Sequence, residues 1–389
     1  MNEFNSDPKG LDFNSILIYL FFFLLSFFFC YLSETMFKRN KKQIGFINAF
    51  ISIFILCLLA SLRSTAVGGD VSVYLLPNFE YAMSSSNFSD FYAVASSQME
   101  VLFSLLVYFF AKIGSLSLLF FTIQFLILEP VYIVLYDNRD NCSITISFII
   151  YVLLFYNFSL SGMRQSIAMS LMYLAINYLF KKDYKKLILL GIISILFHKG
   201  AAIPLVLVIS IILFENKEYY RKFLFMIAVM LSGVFVFYNK FANILQKIFL
   251  VLNPRYSFYI AKYMNESIQW NNIPTTEIVL KLGIVLICCF FGHYKKKRNV
   301  RNFSILAFSL LGRFFVLLNA RMYEALRVAY YFDIFSITLV GNTIYQQKFH
   351  SNKRIISFCM MLLAFAYWIY FIMYIGGYKT NIYTFAWFN

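Results

Sequence analysis

Apolar runs of about 18 residues or more recur along this chain from Ile16 onward, and such a run matches the hydrocarbon thickness of a bilayer. No water reaches that layer, so each spanning segment has to satisfy its own backbone N–H and C=O groups. Helices and closed barrels do this, and the runs lack the alternating pattern, roughly ten residues long, of a barrel strand. The expected fold is therefore all-α, a polytopic integral membrane helical bundle. With 61% of 389 residues hydrophobic and 13% charged, little of the chain is left for a separate soluble domain.

A net charge of +16 would suit nucleic acid if it covered one face. Instead it gathers at Lys38–Lys42, Lys181–Lys186, Lys217–Lys222, Lys295–Arg301 and Lys348–Arg354, each cluster lying between two apolar runs. These clusters hold more than half of the 34 lysines and arginines, the bias expected of cytoplasmic connections. The charge thus reports orientation, and no nucleic-acid partner is expected.

Placing the clusters inside gives spans near 16–33, 44–62, 116–136, 143–158, 164–180, 187–198, 201–214, 222–239, 276–292, 303–319, 327–345 and 355–375, about twelve transmembrane helices. Counting both 98–113 and 116–136 as full spans would reverse the side of every later cluster, so one of the two is expected to be re-entrant or tilted. Both termini then lie outside. The first run follows Glu3, Asp7 and Asp12 rather than a basic stretch and precedes no small-residue cleavage site, so it is expected to be retained. Residues 1–389 form a single transmembrane domain with two long extracytoplasmic loops, 63–98 and 240–275. The second begins with Phe241, Ile244, Leu245, Ile248, Phe249 and Leu252 at helical spacing, the pattern of an amphipathic interfacial helix.

The six cysteines lie in or beside apolar runs without paired spacing, which indicates neither a disulfide framework nor a zinc site. There is no P-loop, no dinucleotide-binding glycine motif and no D-x-D pair, so a soluble nucleotide-sugar enzyme is excluded. No metal or cofactor is expected.

Removing the cytoplasmic clusters leaves Arg63, Arg164, Lys199, Lys240, Lys247, Arg255, Lys262, Arg321, Arg327 and Lys379 on the outer side, against the rule that organises the rest. Such a set calls for an anion or a pairing carboxylate, and the planar fork of arginine suits a diphosphate. In SGMRQSIAMSL, Ser161 and Gly162 make a turn while Arg164 and Gln165 open a helix. A helix N-terminus already favours anions, so a cation there is unfavourable unless an anion sits nearby; phosphate is the candidate. His198 ends an apolar run at LFHKG and is placed to act as a base, or is simply satisfied at a helix end. In RSTAVGGDVSVY, Asp70 and Tyr74 follow a glycine pair, with a helix cap as the alternative role for Asp70. Glu129, Lys281, Arg313 and Asp333 fall within apolar runs, where ionisable groups are costly; Arg313 and Asp333, at similar depth on consecutive helices, are expected to pair.

Taken in order, these elements resemble the Wzy-type polysaccharide polymerases and specifically their EpsG-like branch. The resemblance rests on Arg63, Gly69, Asp70 and Tyr74; on Glu100 opening the next apolar run; on Gly162, Arg164, Gln165, Ile167 and Ala168; on Phe197-His198; and on Arg327, Tyr330 and Tyr331. Gly200 stands where the family usually has a small polar residue, and similarity thins after residue 240. The resemblance implies a bacterial cytoplasmic-membrane glycosyltransferase with its site facing the periplasm or cell exterior. Its donor and acceptor would be undecaprenyl-diphosphate-linked oligosaccharides, with room for a chain-length regulator and a flippase as partners. It implies that Arg164 and Arg327 clamp diphosphate, with Gln165, Arg255, Tyr74 and Tyr330 also on the substrate. Arg63 would orient Asp70 or meet a second phosphate, and His198 or Asp70 would take the acceptor's proton. A lipid-linked oligosaccharide flippase and a glycan ligase are the alternative classes. A flippase is expected to show two related halves, and none is visible here.

Overall fold

The structure, a computed structural model, describes residues 10–213, 275–292, 300–318 and 324–386. Its helices are α1 (Phe13–Lys38), α2 (Lys42–Ser61), α3 (Leu76–Ser84), α4 (Phe88–Ala95), α5 (Val101–Ile113), α6 (Leu116–Asp137), α7 (Ile144–Ser161), α8 (Met163–Phe180), α9 (Tyr184–Phe197), α10 (Ala202–Leu213), α11 (Thr275–Phe291), α12 (Val300–Leu318), α13 (Glu324–Asp333), α14 (Phe335–Tyr345) and α15 (His350–Tyr374). Among the described residues there is no strand, only an isolated antiparallel bridge between Arg63 and Phe385.

Five helices, α1, α2, α6, α7 and α15, are long and apolar enough to cross a membrane. The expected dozen is not reproduced among the described residues. Helix α9 has 14 residues, so at the usual rise it reaches roughly 20 Å, short of a ~30 Å hydrocarbon layer. Helix α8 has 18 residues but carries Arg164, Gln165 and Asn177. The expected span 222–239 and the expected interfacial helix after residue 240 lie outside the described residues.

Local chemistry starts and joins these helices. The Asp12 carboxylate caps α1 by accepting from Ser15 N at 3.2 Å, and Ser115 caps α6 by accepting from Leu118 N at 3.3 Å. Ser26 and Ser52 exchange hydrogen bonds across the α1–α2 hairpin, each hydroxyl donating to the other's carbonyl at 2.8 and 2.9 Å. Small residues at such a crossing let the backbones close up. Glu34, buried near the end of α1, accepts from Thr145 N at 2.8 Å while Lys38 lies 2.7 Å from its other oxygen. One helix thereby supplies the anion that the N-terminus of α7 favours. The basic end of the bundle is tied by Asp137, 2.6 Å from Lys181 Nζ and 2.8 Å from Asn177 Nδ2, with Arg301 donating to Asn177 Oδ1 at 3.0 Å.

Inside the bundle, Arg313 Nε donates to Asp333 Oδ1 at 3.0 Å, the pairing expected from the sequence. Lys281 pairs with Glu277 one turn away on α11, with its ammonium 4.8 Å from the Tyr367 ring centroid. Glu129 instead lies exposed on the surface of α6.

Of the two neighbouring runs, α6 is long and apolar enough to cross a membrane and α5 is shorter. Its 13 residues extend about 20 Å. At its start Glu100 meets Arg164 of α8; at its end it passes directly into α6, where Phe120 lies against Arg63, itself bonded to Leu160 of α7. Both ends of α5 thus belong to the same end of the bundle, opposite Asp137 and Lys181. Residues 63–98, expected to be a loop, fold into a π-helical turn (Val71–Leu75), α3 and α4, and Lys112 Nζ of α5 donates to Met83 O at 3.2 Å at the end of α3. If α5 returns to the side it left, cysteines at Ser97 and Ser117 are labelled by a membrane-impermeant maleimide from one face and a cysteine at Lys185 from the other. Opposite labelling of Ser97 and Ser117 would show that α5 crosses.

Candidate functional site

The site grows from a break between two helices. Helix α7 ends at Ser161, Gly162 leaves helical geometry at φ −74°, ψ 51°, and α8 restarts at Met163. A Cβ on Gly162 would fall 2.8 Å from the Phe158 ring, so glycine lets the chain turn against that side chain. The restart puts Arg164 and Gln165 in the first turn of α8, where free N–H groups make the surroundings favour an anion.

That anion is a carboxylate. Arg164 Nη1 lies 2.8 Å from Glu100 Oε2 and donates to Gln98 O at 2.6 Å, while Nε donates to the Tyr74 hydroxyl at 3.4 Å. The guanidinium also lies 4.8 Å from the Tyr74 ring centroid. Burial pushes the Tyr74 hydroxyl up to about 12, so it stays an O–H. Arg164 Nη2 has no partner among the described residues, and the side chain keeps 19% of its surface exposed, so one edge of the fork remains open.

Glu100 also reaches the histidine. Its Oε1 accepts from Lys199 N at 3.2 Å, fixing the turn that follows α9. His198 Nδ1 is 2.9 Å from the Tyr331 hydroxyl of α13. If Nδ1–H donates to that oxygen, Nε2 keeps its lone pair. A Cβ on Gly200 would stand 2.9 Å from this imidazole, so the ring occupies room that glycine leaves. Burial lowers the His198 pKa to about 4, with Glu100 opposing the shift and Arg164 and Arg327 adding to it. Gln165 Nε2 donates to Arg327 O at 2.6 Å, tying α8 to α13, and Arg327 itself is exposed.

Arg63 takes a different place. It is 2% exposed, its guanidinium donates to Leu160 O and lies 4.1 Å from the Phe120 ring centroid, and its other edge meets Met163 Sδ at 3.5 Å. Burial pulls its pKa down to about 10, which leaves it protonated at neutral pH. Asp70 N donates to Ser161 Oγ at 3.3 Å, which places Asp70 beside the same turn.

A family model described as the EpsG family matches residues 46–387. The chain belongs to the EpsG family. No curated protein and no solved structure matches it. EpsG is a Wzy-type polymerase-like family, and with the apolar helices membership carries a polysaccharide polymerase-like function at a membrane.

Among the residues expected to mark the EpsG site, Tyr74, Arg164, Gln165, His198 and Arg327 come together at the end of the bundle away from Asp137 and Lys181, with Asp70 at the adjoining turn. Arg63 reaches that turn from beneath rather than through an open face. Tyr330 goes elsewhere: its hydroxyl is 3.0 Å from that of Tyr378, its ring is 4.4 Å from Phe158, and it is buried. Arg255 and Arg321 lie outside the described residues. Tyr331 was not among the expected site residues. Adjacent positions on a helix point about 100° apart, so Tyr330 and Tyr331 cannot share a role, and nothing local in the sequence says which faces His198.

Removing Glu100 leaves Arg164 at a helix N-terminus with no counter-charge, and Glu100→Ala should cost about 1–3 kcal/mol, read as a lowered thermal unfolding midpoint in detergent. Between pH 4 and 6.5 the unfolded chain binds a proton at His198 that the folded chain refuses, so stability rises with pH across that window. His198→Asn should flatten that rise, measured by thermal unfolding at successive pH values.

Proposed function

We propose that this protein is a membrane glycosyltransferase that polymerises undecaprenyl-diphosphate-linked oligosaccharide repeat units on the outer face of the bacterial cytoplasmic membrane. The observation that carries this reading is the convergence of an arginine fork, a second arginine and a neutral histidine at the bundle end away from the basic clusters. That combination suits cleavage of a sugar–phosphate bond. The anomeric carbon of the growing glycan leaves its diphosphate, whose oxygen keeps the bonding electrons, and bonds to a hydroxyl of the incoming unit, which gives up its proton.

Arg164 and Arg327 are assigned to the departing diphosphate, where preorganised cations stabilise developing charge without having to reorganise during the reaction. His198 or Asp70 is assigned to the proton. At a pKa near 4 the imidazole is neutral but a weak base. An entering diphosphate offsets the two arginines that help depress it, and so raises its basicity when the substrate is in place. Arg63, held on Leu160 O, acts through the turn that carries Arg164. The described residues contain no group of three or more metal-ligating side chains, and the scheme requires no cation beyond the arginines.

Arg164→Lys keeps a charge but loses the planar fork, so elongation should fall by about 100-fold or more while the protein still inserts. The measurement is the length distribution of glycan in cells carrying only the variant. Accumulation of single lipid-linked repeat units supports the polymerase. Unaltered polymer would remove Arg164 from the reaction, and single units trapped on the cytoplasmic face would indicate a flippase. Elongation by the purified protein should also persist in EDTA; a strict requirement for a divalent ion would refute the metal-free scheme.

A further inference from the structure

Beyond α15 the chain turns back and threads into the site end. Gly68 N donates to Lys379 O at 2.9 Å, Ser64 N to Thr384 O at 2.8 Å and Ala386 N to Leu62 O at 2.9 Å, so this segment straps the stretch that carries Arg63 and the Gly68-Gly69-Asp70 motif. It is anchored from within as well. Tyr19 donates to Thr380 O at 2.9 Å, Asn157 Nδ2 to Thr380 Oγ1 at 3.0 Å, and the Tyr378 hydroxyl meets that of Tyr330.

At the centre of the strap the backbone is in an uncommon conformation. Tyr378 and Lys379 stand consecutively in the left-handed region, at φ 64° and 53°. Asn40 and Lys182, the other described non-glycine residues with positive φ, each stand singly just past a helix end, where that conformation is common. Two such residues in a row are strained, and they persist only where the surroundings over-determine them. The pair has a geometric result: it sends the Tyr378 ring into the bundle against Phe158 and Phe371 while Lys379 emerges exposed. The Lys379 stem crosses Gly69, and its Cδ lies 3.6 Å from where a Cβ on that glycine would be, with Ser161 Oγ 3.7 Å from the same point. The Lys379 ammonium has no ion-pair partner among the described residues. Its stem thus lies over Gly69, next in sequence to Asp70, and near Ser161 at the turn that carries Arg164, at an end of the bundle where positive charge contradicts the orientation bias of the rest of the chain.

We propose that Lys379 is a substrate-positioning residue that contacts the phosphate of the lipid carrier, and that the left-handed Tyr378-Lys379 step exists to aim it across Gly69. This rests on the polymerase reading of the same site and adds to it a cation from the far end of the sequence. An ammonium on a flexible stem contributes a point charge, complementing the directional fork of Arg164.

The φ of Lys379 allows a test that separates charge from backbone. Lys379→Gly and Lys379→Asn both accept the left-handed conformation, so they remove the amine without adding strain. The probe is undecaprenyl diphosphate in detergent, titrated into the purified full-length protein, with undecaprenyl monophosphate as the contrast. Both variants should weaken diphosphate binding about tenfold or more, the loss expected for one charged hydrogen bond. Lys379→Arg should stay within about threefold of the parent. The unfolding temperature of Lys379→Gly should match or exceed that of the parent. Binding by Lys379→Gly equal to the parent, or a loss seen only together with a lower unfolding temperature, would show that the residue is structural. If Arg164→Lys weakens binding and Lys379→Gly does not, the polymerase reading stands and this inference falls. Should the parent protein itself ignore the diphosphate, both fall together.

Discussion

The site end of this protein is organised around a buried cation. Arg63 is 2% exposed and faces no carboxylate among the described residues, an arrangement that costs several kcal/mol unless dipoles and lone pairs take over the work of water. They do so here. Leu160 belongs to the last turn of α7, where carbonyls lack intrahelical partners and the helix dipole is negative, and its oxygen accepts from Arg63. The Phe120 face and the Met163 sulfur meet the rest of the guanidinium. These groups come from α6, α7 and α8, and the backbone of Arg63 itself bridges to Phe385, so one residue ties together parts of the chain more than 300 positions apart.

Arg164 presents the opposite electrostatic problem on the far side of the same turn. A cation at a helix C-terminus is welcome, whereas one at a helix N-terminus is not. Gly162 separates the two cases: before it, Arg63 answers the end of α7; after it, Glu100 answers both Arg164 and the start of α8. The same carboxylate also accepts from Lys199 N, so the geometry of His198 depends on a charge whose first role is to make Arg164 tolerable. This explains why an acidic residue opens the apolar run of α5.

Much of this was legible in the sequence. Helical class and membrane character follow from run length and charge bias, because each is a local property of composition or spacing. The pairing of Arg313 with Asp333 was also legible, since both ionisable groups sit deep in consecutive runs and would each be costly alone. Helix count was not. Apolar runs overstate helix length wherever the chain turns within them, as around His198, so a run that looks long enough yields α9 of 14 residues. Nor could the sequence say that the counter-ion of Arg164 is Glu100, 64 positions away, or that Arg63 faces inward, because both depend on which helices become neighbours.

A resting ion pair in a site proposed to bind phosphate is itself informative. An arginine with its whole fork free would hold a diphosphate equally well before, during and after bond cleavage, and uniform binding of that kind does nothing for the rate of the chemical step. Glu100 occupies one edge of the Arg164 fork and leaves Nη2 open, so the guanidinium is oriented but partly neutralised. In the proposed reaction its attraction for an anion would grow with the charge that develops as the sugar–phosphate bond breaks, and would weaken once the carrier can diffuse away. In a chain that would repeat this cycle many times on one glycan, release of the spent lipid diphosphate is as necessary as its capture. Under the proposed function, the carboxylate beside the arginine would reconcile the two requirements.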